Sequence, residues 1–166
     1  MEEEEHIIGI LASLVRNLPL ESGHRLRVVR KFVEDDYAKL ERLLDLREGY
    51  EARVKAFNER VENENKELGL DEEEIAEEEP ERALERLDAG LYVMQLIDLI
   101  LAHLCAEDLD LEDKNERKEG DKDESEIKER VRTLLNRRGQ SLDDIKDNLK
   151  GEIDWLVCAM TRRKVR

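Results

Sequence analysis

The sequence predicts an all-α chain of about six helices, arranged either as a helical bundle or as a segment of an alpha-solenoid. Three observations lead there. Apolar residues recur at spacings of three and four, the period of a helix with one buried face. Eight glycines and two prolines in 166 residues leave little material for the many tight turns of a β-fold. Aromatic side chains make up only 4%, too few for the usual sandwich or barrel core. A charged fraction of 44% would by itself suggest a disordered chain. The clustering of the apolar residues argues instead for one folded domain.

The first helix is expected from Glu3 to Leu18, with Ile7, Ile8, Leu11, Leu14, Val15 and Leu18 as its inward stripe and an acidic start that suits the helix dipole. Pro19, Ser22 and Gly23 then mark a short loop. A second helix follows with Leu26, Val29, Phe32 and Val33 inward and Arg25, Arg27, Arg30 and Lys31 as its basic outer side. Asp35 or Asp36 is read as the N-cap of a long third helix. Its positions Leu40, Leu43, Arg47, Tyr50, Val54, Phe57, Val61, Glu64 and Leu68 follow a heptad rhythm, interrupted twice by charge. Such a seam packs along a helix of the same chain or along a second copy.

Gly69 is the expected stop of that helix, and residues 70–80 are read as an acidic linker within an N-terminal helical part, 1–106. Pro80 suits the first turn of a fourth helix reaching Cys105, amphipathic through Leu84, Leu87 and Leu91 and apolar nearly all round from there. Residues 107–125 are charged and read as a flexible loop. A C-terminal helical pair, 126–160, comprises Ile127, Val131, Leu134 and Leu135 up to Gly139, then Ser141 as N-cap with Asp144 in capping-box position. Leu142, Ile145, Leu149, Ile153 and Leu156 form the inner face of its second helix, and Thr161 to Arg166 make a basic tail. No repeat of about 40 residues is visible by internal similarity.

The net charge of −15 makes direct nucleic-acid binding improbable, since that depends on Lys and Arg neutralising phosphates. It favours a basic partner protein. Cys105 and Cys158 sit in apolar surroundings at no zinc-ligand spacing and read as buried small hydrophobes. Glu2 to Glu5 carry the wrong charge for the start of a signal peptide, and Leu91 to Ala106, broken by Gln95, Asp98 and His103, is too short to span a bilayer. That stretch is expected to be a core helix, and no membrane partner is expected.

Motif chemistry is sparse. Glu3–His6 and Glu21–His24 have the Glu-x-x-His spacing of carboxylate-bridged metal sites, but the first lies at a terminus and the second in the Pro/Gly loop, so chance in a Glu-rich chain is the better reading. His103 lies on an apolar helix and reads as a core residue. Asp121, Asp123 and Ser125 imitate the start of a calcium loop that Glu126 and Arg132 then spoil. No nucleophile elbow, phosphate loop or dinucleotide fingerprint is present. No enzyme, metal or cofactor is expected. Asp88, Ala89 and Gly90 are read as a structural helix contact, where small side chains let a neighbour approach and Asp88 accepts from Arg42 or Arg86.

Four stretches resemble the beta-catenin-like protein 1 family, in its order. They are Leu11-Ala12-Ser13-Leu14-Val15-Arg16-Asn17-Leu18; the pattern Lys31-Phe32, Glu34, Asp36, Lys39, Arg42, Leu43, Leu46, Tyr50; Arg86-Leu87-Asp88-Ala89-Gly90-Leu91-Tyr92-Val93-Met94-Gln95; and Arg130-Val131 followed by Leu135-Asn136-Arg137-Arg138-Gly139 and Ser141. The resemblance covers residues 6 to 150 and implies an armadillo-like alpha-solenoid segment, a nuclear location, and association with pre-mRNA splicing complexes. It also implies splicing-factor partners with basic nuclear-localisation-type segments, and self-association as a possible homodimer. The family's long N-terminal solenoid has no counterpart here, which implies a fragment or a truncated product. The 107–125 stretch is longer than the family's pattern, and Trp155 to Arg166 departs from it.

The expected role is therefore a non-catalytic protein-interaction scaffold, with a self-contained bundle or coiled-coil oligomerisation module as the rival. The expected partner-binding residues are the acidic run Asp71, Glu72, Glu73, Glu74, Glu77, Glu78 and Glu79.

Overall fold

The computed structural model describes residues 2–19, 22–106 and 126–149. Its elements are all helical: α1 (Glu2–Asn17), α2 (Gly23–Leu68), α3 (Glu72–Arg86), a π-helical turn (Leu87–Leu91), α4 (Tyr92–Ala106), α5 (Glu126–Arg137) and α6 (Leu142–Asn148). The expected readings of residues 107–125, of Glu21, Asp121, Asp123, Ser125 and Cys158, and of the chain beyond 149 lie outside the described residues.

The most apolar helix takes the centre. Ile97, Ile100, Leu101, Ala102 and Leu104 of α4 are fully buried, and α1, α2, α5 and α6 all pack against it. α5 contributes Ile127, Val131, Leu134 and Leu135, and α6 contributes Ile145. The continuous helical stretch Glu72–Ala106 is long and apolar enough to cross a membrane by length and composition alone, but 67% of its most apolar window is buried inside the protein. Helices of this kind form the core of many water-soluble domains.

α1 turns inward most of the stripe its periodicity suggests, with Ile8 and Val15 buried and Leu11 and Leu18 half-buried, but the stripe is shifted at one edge. Ile8, Ala12 and Val15 are buried, whereas Ile7, Ile10 and Leu14 face outward. The stripe is wide enough that either edge could have been chosen, and packing on α4 selects the edge that includes the small Ala12.

α2 begins at Ser22, whose hydroxyl accepts from the Arg25 amide at 3.1 Å. It is not one smooth rod. Glu34 is extended, and Asp35, Asp36 and Tyr37 have φ of 55°, 52° and 63°. The boundary between the expected second and third helices therefore falls at the anticipated place, but not as an extended N-cap. Left-handed backbone at a residue with a Cβ costs roughly 1–2 kcal/mol, so three in succession must be held from outside. α5 does this. The Tyr37 hydroxyl donates to Glu126 at 2.8 Å, the Arg130 guanidinium lies 5.2 Å from the Tyr37 ring centre, and Arg130 also reaches Asp36 and Glu41. Burial, reinforced by the Glu126 carboxylate, pushes the Tyr37 phenol up to about 12, which keeps it a donor.

Beyond the break, the heptad seam is buried within the chain from Leu40 through Leu43, Arg47, Tyr50 and Val54 to Phe57, and it lapses at exposed Glu64 and Leu68. Its charged member, Arg47, is fully buried because Nε donates to Asp98 Oδ1 at 2.5 Å, while Nη2 lies 3.4 Å from Oδ2. Asn148 donates to the same Oδ2 at 3.0 Å. Arg25, expected on the solvent side of its helix, is buried too. Its guanidinium donates to the Val15 and Leu18 carbonyls at the C-terminal end of α1, where the helix has no partners of its own to offer, and it lies 3.1 Å from Nδ1 of His103. Cys105 and His103 are buried residues of α4.

Residues 72–79 correct the expected linker of 70–80, because they are helical. Asp71 Oδ1 accepts from the Glu73 and Glu74 amides, both at 3.0 Å, and Glu74 Oε2 accepts from the Asp71 amide at 3.0 Å, closing a capping box. Glutamate is a good helix former, and Glu72, Glu73 and Glu74 lie at the positive end of the dipole. Pro80 consequently sits in mid-helix, not in the first turn.

Candidate functional site

Helix α3 has no buried residue. It carries eight glutamates against two arginines, and it lies along the second half of α2, whose outer face adds Glu59, Glu64 and Glu67. An open trough of about 720 Å³ runs between them, bounded by Glu59, Arg60, Asn63, Glu64 and Glu67 on one side and by Arg82 and Glu85 on the other, so that four carboxylates face two guanidinium groups. The two arginines of α3 tie the pair together. Arg82 lies within 3.3–3.4 Å of Glu64, Glu78 and Glu85, and Arg86 donates to Asn58 at 2.9 Å and to Glu79 at 3.0 Å.

The seven carboxylates singled out from the sequence thus divide. Asp71 and Glu74 cap the helix, Glu78 and Glu79 pair with arginines, and Glu72, Glu73 and Glu77 project from α3 with no ion pair among the described residues. Glu59, Glu64, Glu67 and Glu85 were not anticipated. Glu64 is visible in the sequence only as a flaw in the heptad, and recognising it as half of an acidic trough requires knowing that α3 is a helix folded back on α2. The assembled surface can accept cationic side chains and the amides of an extended peptide; it holds no nucleophile and no enclosed cavity.

Titratable groups elsewhere serve the core. Burial pushes the Asp98 carboxyl up to about 6, against the opposing pull of the Arg47 guanidinium and the Asn148 amide. Burial pushes the His103 imidazole down to about 4, helped by the charges of Arg25 and Arg16. Among the described residues no three His, Cys, Asp or Glu side chains gather to hold a metal ion.

Asp88, Ala89 and Gly90 lie in the π-helical turn joining α3 to α4. Gly90 has φ 127°, and a Cβ there would stand 2.8 Å from Cδ1 of Tyr50, so the turn lies directly on α2. The partners expected for Asp88 are engaged elsewhere: Arg42 donates to Glu4, and Arg86 to Asn58 and Glu79. The extra residue of a π-turn redirects the chain from the exposed arm into the core.

Comparison with known proteins agrees with this architecture. A family model described as "Catenin-beta-like, Arm-motif containing nuclear" matches residues 1–150. Beta-catenin-like protein 1 of Bos taurus is 35% identical over 150 residues, which is 90% of this chain and 24% of that protein. The Homo sapiens protein of the same name is 34% identical over the same shares. The beta-catenin-like protein 1 homolog of Schizosaccharomyces pombe is 36% identical over 104 residues, 62% of this chain and 17% of the relative. The chain thus spans about a quarter of the length of the mammalian relatives. The all-α fold is armadillo-like, and the location is nuclear. With the family model matching nine-tenths of its length, the chain belongs to the catenin-beta-like, Arm-motif containing nuclear family.

Proposed function

We propose that the chain is a non-catalytic scaffold segment of nuclear pre-mRNA splicing complexes, and that it holds partner proteins through their basic segments on the α2–α3 acidic face. One observation carries this reading: α3 is a complete, capped helix with nothing buried and with Glu72, Glu73 and Glu77 free to pair. A helix with no buried residue and a dense negative charge presents that charge outward, where it attracts cationic segments. A basic segment lying along the exposed face of α3 would gain charge-assisted contacts with Glu72, Glu73 and Glu77 while displacing only water.

The test is fluorescence anisotropy with a basic nuclear-localisation-type peptide at low and moderate salt. Saturable binding that weakens with salt, and that falls about tenfold or more in the Glu72→Lys, Glu73→Lys, Glu77→Lys triple variant, is expected. Binding indifferent to that variant would remove the α3 face from the reading. The rival, an oligomerisation module, draws on the exposed end of the long seam at Leu68. Self-association abolished by Leu68→Lys would favour it.

A further inference from the structure

The break in α2 holds its backbone left-handed where right-handed geometry would simply have continued the helix. Asp35, Asp36 and Tyr37 stand at φ of 55°, 52° and 63°. Aspartate visits the left-handed region more readily than most residues, but as a single position, and a bulky aromatic is an outlier there. No glycine relieves the run. Such backbone persists only where its surroundings over-determine it, and it gathers at ligand clamps and switch regions.

What holds the run comes from the first two turns of α5. The Tyr37 ring is buried, and its hydroxyl donates to Glu126 at 2.8 Å. The Arg130 guanidinium stands 5.2 Å from the centre of that ring and reaches Asp36 and Glu41 at 3.8 and 3.9 Å. This hold is light. Both ion pairs are at the outer limit of contact, the Asp36 side chain is 91% exposed, and the buried Nε of Arg130 has no hydrogen-bond partner among the described residues. Farther along α5, Val131, Leu134 and Leu135 are buried in the core, so the helix stays anchored whatever its first turns do. On the near side the core residue is Ile127.

We propose that residues 34–37 are a strained hinge latched by the first turns of α5, so that loosening of that end of α5 and relaxation of Asp35, Asp36 and Tyr37 toward right-handed backbone occur as one event. Strain at the break opposes the latched state, and a light latch is therefore poised to open. When it opens, the first arm of α2 turns relative to the second. Phe32 from before the break and Leu43 from after it line one concavity against α1, so the shape of that face follows the latch. The coupling runs both ways: relieving the strain in place should tighten α5, and loosening α5 should free the hinge.

The experiment changes only the strain and reads the latch. Asp35 suits it, because its side chain is 79% exposed and pairs with Lys39 at 3.5 Å, away from α5. In the full chain, Asp35→Gly accepts the left-handed backbone freely, Asp35→Val accepts it worst, and Asp35→Asn controls for the lost charge. The readout is residue-resolved amide exchange at Arg130 to Thr133, whose amides bond back to Glu126 to Glu129, against Leu135 to Arg137 in the same helix. Glycine should slow exchange at the first set severalfold relative to asparagine, and valine should hasten it about tenfold, with the second set unchanged. In the Arg130→Ala background the spread should shrink, since the latch is already loose. Equal exchange at the first set in the glycine and asparagine variants overturns the proposal, and that pair decides alone if the valine variant does not fold. Exchange that changes across the whole of α5 and α4 together overturns it too, because the break would then open only with the core. A spread that persists in full without Arg130 does the same.

Discussion

Around α4, charge is buried and paired; along α3, charge is exposed and only partly paired. Arg47 and Asp98 are both fully buried and bonded to each other, whereas no residue of α3 is buried at all. The same residue types therefore do opposite work in the two regions. A buried ion pair rarely adds net stability over an apolar alternative, but breaking it leaves a naked charge in a poor dielectric. An exposed carboxylate costs nothing to leave alone and stays available to a visitor.

That contrast can be broken most forcefully at Asp98. Asp98→Ala should lose about 3–5 kcal/mol of unfolding free energy, measured by urea titration, because Arg47 would remain buried without its carboxylate. A loss comparable to that of an exposed substitution would mean that the Arg47 side chain escapes to water and that the core charge is not committed.

The two perturbed core groups make a sharper test because their pH signatures run in opposite directions. His103 has its folded value depressed to about 4, so its contribution is complete above 6.5 and is lost as pH falls through 4. Asp98 has its folded value raised from 3.8 to about 6, so its contribution is present below 3.8 and lost as pH rises through 6. Between pH 7 and pH 4 the wild type should lose about 3 kcal/mol relative to His103→Gln and gain relative to Asp98→Asn. Parallel profiles for both variants would show that the two sites share solvent.

At the junction of the two regions, Gly90→Leu should cost about 2 kcal/mol, since the side chain meets the Tyr50 ring and the backbone lies in the left-handed half of conformational space. An unchanged thermal midpoint would show that the α3–α4 turn can lift off α2. The smallest effect belongs to the arm. Asp71→Ala should cost α3 about 1 kcal/mol, seen as faster amide exchange across Glu72–Arg86 while the global midpoint stays put. A shift of the whole melting curve would show that the arm unfolds together with the core.

The same division explains what could be read from the sequence. The helices around the core were legible because apolar period survives any tertiary arrangement, as at Leu40 to Phe57 and Ile127 to Leu135. Arg47 and Asp98 were each visible as a flaw in an apolar pattern, but their cancellation is a contact between distant positions that one sequence does not report. Arg25 was misplaced for a related reason: the carbonyls it satisfies belong to another helix. The helical character of residues 72–79 was obscured by charge density, although Asp71 and Glu74 carried the capping-box spacing in plain view. The left-handed geometry at Asp35 to Tyr37 has no local signal, since no glycine marks it and its support comes from α5.

The hydrogen bonds of Asp98 also have a consequence in time. One partner, Arg47, lies 51 positions before it and the other, Asn148, lies 50 positions after it. A ribosome delivers the chain in that order, so α4 leaves the tunnel able to find Arg47 but not yet Asn148. Until α6 has been made, the most apolar helix of the molecule waits with one acceptor unserved and the faces meant for α5 and α6 uncovered, which is the interval in which a nascent chain most needs shielding from its neighbours.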